Sequence, residues 1–432
     1  MGLVAITLIN PGGAQLTDSE GYLRLAESLR EEGVYWSEFR PGEDLVWPPG
    51  YALFVAGIQA LFGAGFGAIT TAQLALTGLC AWMLVRIGVD LERPRTGYIA
   101  AVLLLLSPNL ALWSLTVMSE ALFTTALVAG SWMLLRYFKA ESGGYLLAAG
   151  GALGCAGLIR PVAIPLILIW AVMVGLASFR RSGFRMAARA GLGLLAAAAV
   201  LLALWAIRNL MVHERFAVST VGGKTLVSFN LARVVADVEG ISRDEAAVGL
   251  PVDQPLELAL DLFRRHPATF VRVQLVGIGR TLLGSEPGTW SHVLGLEPWP
   301  GLGLLGASSD NRAGGLLGRV INMMRDPDYA PQMAMLLYAL LYSVFLISLA
   351  VLGLLTGRSM TSHERLFILT IGLSVLYLVI IPGAAGQARF RVPAEPGMAL
   401  IAAYGVENVT ARLNQWRLRQ LPDKNVGGSD HD

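Results

Sequence analysis

The chain has 432 residues, 54% of them hydrophobic and 15% charged, against roughly 45–50% and about 25% in a soluble globular protein. The 33 Lys and Arg against 31 Asp and Glu give a net charge of +2, and the mean hydropathy is +0.58. So few charges cannot coat soluble domains of this length, which excludes a soluble enzyme, a disordered chain and a coiled coil, and leaves an all-α polytopic membrane protein.

No basic stripe could follow a phosphate backbone, so nucleic acid is not an expected partner. Cys80 and Cys155 lie in apolar helical runs and read as small core residues. His213, His266, His292, His363 and His431 show no HExxH or HxH spacing, so the sequence makes no case for a protein-built metal cage.

In chain order, MGLVAITLIN supplies about half a span before Asn10-Pro11-Gly12-Gly13, with no charged n-region or cleavage site; the expectation is a first helix shortened by a late start. Residues 17–32 read as an amphipathic helix with Tyr22, Leu25, Ala26 and Leu29 on its apolar face. Thr17-Asp18-Ser19-Glu20 matches a capping box in which Thr17 caps and Glu20 reaches back. The apolar element 48–66 is expected to lie in the interface or dip in without crossing.

Apolar stretches near bilayer length then occur at 68–87, 97–118, 119–138, 145–159, 161–178, 189–208, 333–356, 365–382 and 394–411. Together with the ends of the chain they suggest about 9–11 transmembrane helices. The segment 209–332 is the large polar insertion, with two amphipathic helices expected near 255–265 and 268–284. The organisation read from these stretches is an N-terminal membrane module 1–208 with a first outward loop 10–67, an extracytoplasmic region 209–332, C-terminal membrane helices 333–411 and a polar cytoplasmic tail 412–432.

Charge sets the orientation. Basic residues gather at Arg86/Arg93/Arg95, Arg136/Lys139, Arg180/Arg181/Arg185/Arg189, Arg358/Arg365 and Arg412/Arg417/Arg419. If 48–66 does not cross, every cluster falls on one side, the cytoplasm. The opposite face then holds 10–67, the Ser119-Glu120 corner, the Arg160-Pro161 corner, 209–332 and 383–393. Among the cations placed there, Arg160, Arg208, Lys224, Arg389 and Arg391 are the candidates for a site. An arginine within a bilayer segment costs about 2.5–3.5 kcal/mol on insertion scales, so each should have a task, a carboxylate partner such as Glu120, or a path to the interface.

These residues carry a resemblance. DSEGYLRLA (18–26) and PPGYALFVA (48–56), followed by LSPNLALWSLTVMSEALF (106–123), LIRPVAIPL (158–166), LWAIRNL (204–210), AVSTVGGKTLVSFN (217–230), RRHPATFV (264–271) and ARFRVPAEP (388–396), resemble in order the motifs of GT-C membrane glycosyltransferases. The branch they resemble includes the bacterial polyprenyl-phosphate-sugar enzymes related to protein O-mannosyltransferases and lipid A aminoarabinose transferases. The resemblance implies transfer of a sugar from a polyprenyl-phosphate donor to an acceptor hydroxyl, with inversion, on the extracytoplasmic face of a bacterial inner membrane. The acceptor could be a glycolipid, a protein or a wall polymer.

The resemblance further implies Asp18 as the base, with Glu120 second and Glu20 behind it. It places Arg389, Arg391, Arg208, Arg160 and Lys224 as candidates for the donor phosphate, and Tyr22, Trp47, Pro48, Pro49, Tyr51 and Asn209 along the substrate cavity. A phosphate leaving group needs positive charge where its own charge grows, and no general acid. No cofactor is required; a divalent metal stays open. Arg389 and Arg391 flank Phe390, so only one of them is expected to face the cavity.

Other patterns carry less. Gly301-Leu302-Gly303-Leu304-Leu305-Gly306 spells GxGxxG without a preceding strand. Gly150/Gly154 reads as a helix-packing pair, and the sequon Asn408-Val409-Thr410 falls at the cytoplasmic end of the last helix. A transporter or flippase of a lipid-linked sugar, or a non-catalytic relative, is the alternative. The absence of a convincing internal repeat and the gathering of charge on one face argue against alternating access.

Overall fold

Proline sets where many of the helices begin. The computed structural model describes residues 10–299, 323, 325–356 and 360–419, and among these the regular structure is helical, with no strand. The first elements are α1 (Thr17–Glu31), α2 (Glu43–Val46), α3 (Pro49–Phe62), α4 (Phe66–Asp90), α5 (Pro94–Leu105), α6 (Pro108–Ser114), α7 (Glu120–Ala140), α8 (Gly143–Ile159) and α9 (Ile164–His213). The polar region carries α10 (Val221–Thr225), α11 (Ala232–Glu239), α12 (Arg243–Ala247), α13 (Pro255–Arg265), α14 (Pro267–Leu283) and α15 (Pro287–Leu294). The chain returns through α16 (Ala330–Thr356), α17 (Ser362–Ile380) and α18 (Glu395–Arg419). Pro opens α3, α5, α6, α13, α14 and α15, a position whose N–H would have no intrahelical partner in any case.

Five helices among the described residues are long and apolar enough to cross a membrane: Phe66–Asp90, Glu120–Ala140, Pro161–His213, Pro327–Leu355 and Ser362–Ile380. The third holds two arms. Gly183 adopts φ 79° and ψ −178°, which glycine alone reaches without strain, and the arms fold back on each other: a Cβ on Gly191 would stand 3.2 Å from Ala171 O. The expected single span 97–118 is instead broken. Ser107 Oγ accepts from Leu110 N–H at 3.0 Å, Pro108 opens α6, and α5 and α6 are bent by 61°. A cap plus a proline starts a new helix here rather than continuing the old one.

The element 48–66 forms the 14-residue α3, about 21 Å long at 1.5 Å per residue and short of the ~30 Å hydrocarbon core. Gly150 and Gly154 do pack helices: added Cβ atoms would meet Leu194 O at 2.6 Å and Ala198 O at 2.9 Å on the second arm of α9. The amphipathic helices expected near 255–265 and 268–284 are α13 and α14.

Three of the basic clusters, those of Arg93, Arg136 and Arg181, meet at one end of the bundle. Arg136 pairs with Asp90 at 3.0 Å, Arg93 with Glu364 at 2.6 Å and Arg181 with Glu141 at 2.5 Å, while the Arg181 guanidinium also meets the His363 ring. These contacts join the ends of α4, α7 and the first arm of α9 to the starts of α5 and α17. Asp18, Glu120, Arg160 and the 383–394 turn belong to the opposite helix ends. The first nine residues, Arg358, the GxGxxG run and the 420–432 tail lie outside the described residues.

Candidate active site

The site begins with how α1 starts. Its cap is Leu16, whose N–H donates to Ser19 Oγ at 2.9 Å. Ser19, fully buried, thus does what the sequence suggested for Glu20, and Thr17 is already helical. The capping-box reading is corrected accordingly: a buried hydroxyl three residues in reaches the cap more closely than a longer side chain that can stay solvated. Glu20 is 47% exposed and pairs with Arg24 at 3.4 Å, which in turn grips Glu43 at 2.6 and 3.0 Å. Burial alone would raise the Glu43 carboxyl, but the Arg24 and Ser37 bonds outweigh it and hold it below its usual range.

Asp18 stands four residues before Tyr22, on the edge of the buried Tyr22–Leu25–Ala26 face. Tyr22 packs against Trp47 and Tyr51, with ring centroids 4.8 and 4.7 Å apart, and Tyr51 OH donates to Gln73 Oε1 at 2.6 Å. Pro48 and Pro49 are buried. These residues form a packed aromatic floor rather than an open wall. Burial pushes the Tyr22 hydroxyl up to about 12, with Arg160 pulling against it, so it stays a neutral phenol.

Four charges meet above that floor. Arg389 Nη1 lies 2.9 Å from Asp18 Oδ2 and its Nε lies 2.8 Å from Glu120 Oε1. Arg160 Nη1 reaches the same Glu120 oxygen at 2.5 Å. The Arg389 guanidinium lies 5.5 Å from the ring centroids of both Trp113 and Phe390. Exposure sorts the roles: Glu120 is at 0%, Arg160 at 15%, Arg389 at 18% and Asp18 at 35%. Glu120 is therefore a buried anchor under two arginines, and Asp18 is the carboxylate open to a ligand.

The turn that carries Arg389 is clamped by the polar region. Gly277 of α14 approaches so closely that a Cβ there would fall 1.9 Å from Gly383 O. Gln274 Oε1 accepts from Ala384 N–H at 2.8 Å, and Asn230 Oδ1 from Ala385 N–H at 3.3 Å. Asn230 sits in a π-turn, Leu226–Leu231, a local widening often met at functional positions. Arg391 is fully buried, bonded to Glu395 at 3.0 Å and to the Thr281 and Leu282 carbonyls. It fixes the turn and does not face the site, so Arg389 is the arginine that does. Glu286 sits beneath the same turn, taking bonds from the N–H groups of Ala388 and Arg389. Burial raises its carboxyl to about 7 against the pull of Arg389 and those two amides.

Residues 46–216 match the family model described as dolichyl-phosphate-mannose-protein mannosyltransferase, a range that includes Glu120, Arg160 and Arg208 but neither Asp18 nor Arg389. No curated protein matches the chain. Among solved structures, the apo oligosaccharyltransferase of Archaeoglobus fulgidus aligns with a TM-score of 0.50 at 13% identity, over 99% of this chain and 51% of its own. The chain shares the fold of that oligosaccharyltransferase's matched half. It spans about half the length of that oligosaccharyltransferase. ArnT from Cupriavidus metallidurans bound to undecaprenyl phosphate is also similar, with a TM-score of 0.39 and 16% identity over 98% of this chain and 80% of that one.

The remaining expected residues lie apart from Asp18. Arg208 pairs with buried Asp44 at 2.7 Å, and His213 Nε2 meets the same oxygen at 2.7 Å; Arg208 also donates to Tyr35 O at 2.6 Å and lies over Trp205. Asn209 is fully buried and donates to Ala217 O at 2.7 Å, so it ties the end of α9 to the following loop. Lys224 is exposed. Arg208 and Asn209 thus tie the polar region to the end of α9, and neither they nor Lys224 are brought to the Asp18 cluster.

Glu286, Gln274 and Asn230 were not read as site residues. Each acts on backbone N–H groups more than 100 residues away, and no periodicity reports such a contact. Among the described residues no three His, Cys, Asp or Glu side chains form a group able to hold a metal ion. Asp18 and Glu120 are both engaged by guanidinium groups, so this donor set does not fit a cation. An apolar groove of about 300 Å³ runs between α9 and α17, lined by Ile169, Leu373, Leu376, Tyr377, Ile380 and Ile381. Tyr377 OH bonds Val162 O at 3.0 Å, so the groove opens beside the Arg160 corner.

Proposed function

We propose that this chain is an inverting glycosyltransferase that moves a sugar from a lipid-phosphate donor to an acceptor hydroxyl at the extracytoplasmic membrane face. The observation that carries the reading is the open carboxylate of Asp18 held against Arg389, with Arg160 tied to Arg389 through buried Glu120. The donor lipid tail would lie along the α9–α17 groove and bring its phosphate to the two guanidinium groups.

Asp18 accepts the acceptor's hydroxyl proton as that oxygen forms a bond to the anomeric carbon. The bond from the anomeric carbon to the phosphate oxygen breaks, its electron pair leaves on the phosphate, and Arg389 and Arg160 meet the added negative charge. Attack opposite the leaving group inverts the carbon. One carboxylate suffices because the departing phosphate is already a stable anion. Glu120 keeps both arginines aimed while remaining out of reach of substrate.

The test is turnover of a radiolabelled polyprenyl-phosphate sugar by the full chain in liposomes, with Asp18→Asn alongside. The expected result is sugar release or transfer by the natural chain, with a loss of about 10²–10⁴-fold in the variant. Movement of intact lipid across the bilayer without sugar release, unchanged in Asp18→Asn, would overturn the reading in favour of a transporter.

A further inference from the structure

Helices α11 and α14 pack against each other in the polar region around a small apolar cluster that includes Val227, Leu231, Val234 and Val273. At one end of their interface Asp237 and Arg272 form an ion pair. Arg233 lies one turn along α11 from Asp237, and Arg280 two turns along α14 from Arg272, a turn beyond the position across from Arg233. The two guanidinium groups are near enough to repel each other, where the neighbouring position has a cation and an anion.

Both arginines are half-buried. Neither makes an ion pair or side-chain hydrogen bond among the described residues, and Arg233 Nε is buried with no hydrogen-bond partner. Arg243 adds a third guanidinium nearby, lying 4.7 Å from the Phe229 ring centroid; its carboxylate partner Asp244, at 2.9 Å, also pulls on Arg233 but less than burial and Arg243 push. Burial and mutual repulsion together draw Arg280 down to about 10, and burial with Arg243 draws Arg233 below its usual range. Desolvated like charges across a helix interface cost stability unless an anion stands between them.

We infer that Arg233 and Arg280 form a phosphate-binding cradle between α11 and α14, separate from the Asp18 cluster. A guanidinium fork from each helix can hold a phosphate oxygen pair, which supplies the missing negative charge and the missing partner for Arg233 Nε. Two sources present that chemistry to a membrane-bound chain: the headgroup of a surrounding acidic phospholipid and the phosphate of an isoprenoid lipid. Because α14 also clamps the Arg389 turn through Gly277 and Gln274, an occupied cradle would steady the helix that positions the site.

The test follows thermal unfolding of the full chain in neutral detergent, titrated separately with phosphatidylglycerol, a polyprenyl monophosphate and phosphate-free diacylglycerol. One or both phosphate lipids should stabilise the natural chain and diacylglycerol should not; the phosphate lipid that does so identifies the source. In Arg233→Gln the apparent Kd should weaken at least about tenfold, the size expected for loss of a charge-assisted bond. Arg280→Glu should convert the facing cations into an ion pair, raising Tm without lipid while abolishing the lipid response. Arg233→Gln should weaken the response by the same factor in an Asp18→Asn chain as in the natural one, which keeps this result distinct from the fate of the proposed transferase. Equal stabilisation by diacylglycerol, no response to either phosphate lipid, a response unchanged in both arginine variants, or a lower lipid-free Tm in Arg280→Glu would overturn the cradle.

Discussion

Arg389 and Asp18, 371 positions apart in the chain, are joined by a 2.9 Å contact from Nη1 to Oδ2, while Nε of the same guanidinium lies 2.8 Å from buried Glu120. One planar side chain thus touches the exposed carboxylate and its concealed anchor at once. A lysine has a single nitrogen and cannot span both. Arg389→Lys should lower sugar transfer by about 10²–10³-fold, the scale seen when one donor to a developing anion is lost, with the folded chain retained. Arg391→Lys, in contrast, should lower Tm, because Arg391 is fully buried with Glu395. Transfer assays and melting curves on the two variants separate the roles; equal loss of turnover with no stability difference would refute the assignment.

Glu120 offers a stability test of the same cluster. It lies at 0% exposure between Arg160 and Arg389, so Glu120→Gln leaves two guanidinium groups without their shared countercharge. Breaking a buried pair by removing one partner costs about 3–5 kcal/mol. The expected outcome is a large fall in Tm in detergent, and a variant as stable as the natural chain would show that Glu120 is not the anchor.

Much of this arrangement is legible in the sequence because it rests on local rules. The amphipathic period of 17–32 and the apolar arms on either side of Gly183 each report their own backbone, whereas the break at Ser107-Pro108 is hidden inside the continuous apolar run 97–118. The resemblance to GT-C motifs offers Asp18, Glu120 and Glu20 with Arg389, Arg391, Arg208, Arg160 and Lys224, and of these eight the structure brings Asp18, Glu120, Arg160 and Arg389 into contact. The choice between Arg389 and Arg391 was not legible: both flank Phe390, and only the carbonyls of Thr281 and Leu282, more than 100 residues upstream, decide which one turns inward. Arg208 looked equivalent to Arg160 by composition, yet Asp44 claims it. The capping box misled for a related reason, since the pattern names the residue types and the burial of Ser19 decides which one acts.

Glu286 gives a pH dependence. Its carboxyl rises from an ordinary 4.5 to about 7 in the folded chain. A raised acid favours the folded state while protonated in both states, below about 4.5, and that relative stability is lost as pH climbs through 7. Over the same window a negative charge appears next to the Arg389 turn. Transfer rate and Tm should both change between pH 5 and 8, and Glu286→Gln, neutral throughout, should flatten that limb of each profile. A profile identical to the natural chain would remove Glu286 from the site.

Gly277 links the polar region to the chemistry. A methyl group at this position would stand 1.9 Å from Gly383 O and 2.7 Å from Ala384 Cα, and both are backbone atoms that cannot swing aside. Gly277→Ala must therefore push α14 and the 383–386 turn apart, and with them Arg389, only a few residues further on. Gln274 and Asn230 hold that turn through its own N–H groups, so the displacement loosens the turn's bonds as well. Misplacement of a charged group by about 1 Å costs on the order of 10²-fold in rate. The expected result is a drop of that size in transfer with the donor still bound, measured as kcat against KM; a variant that loses donor affinity alone would place the function of α14 in binding rather than in aiming Arg389.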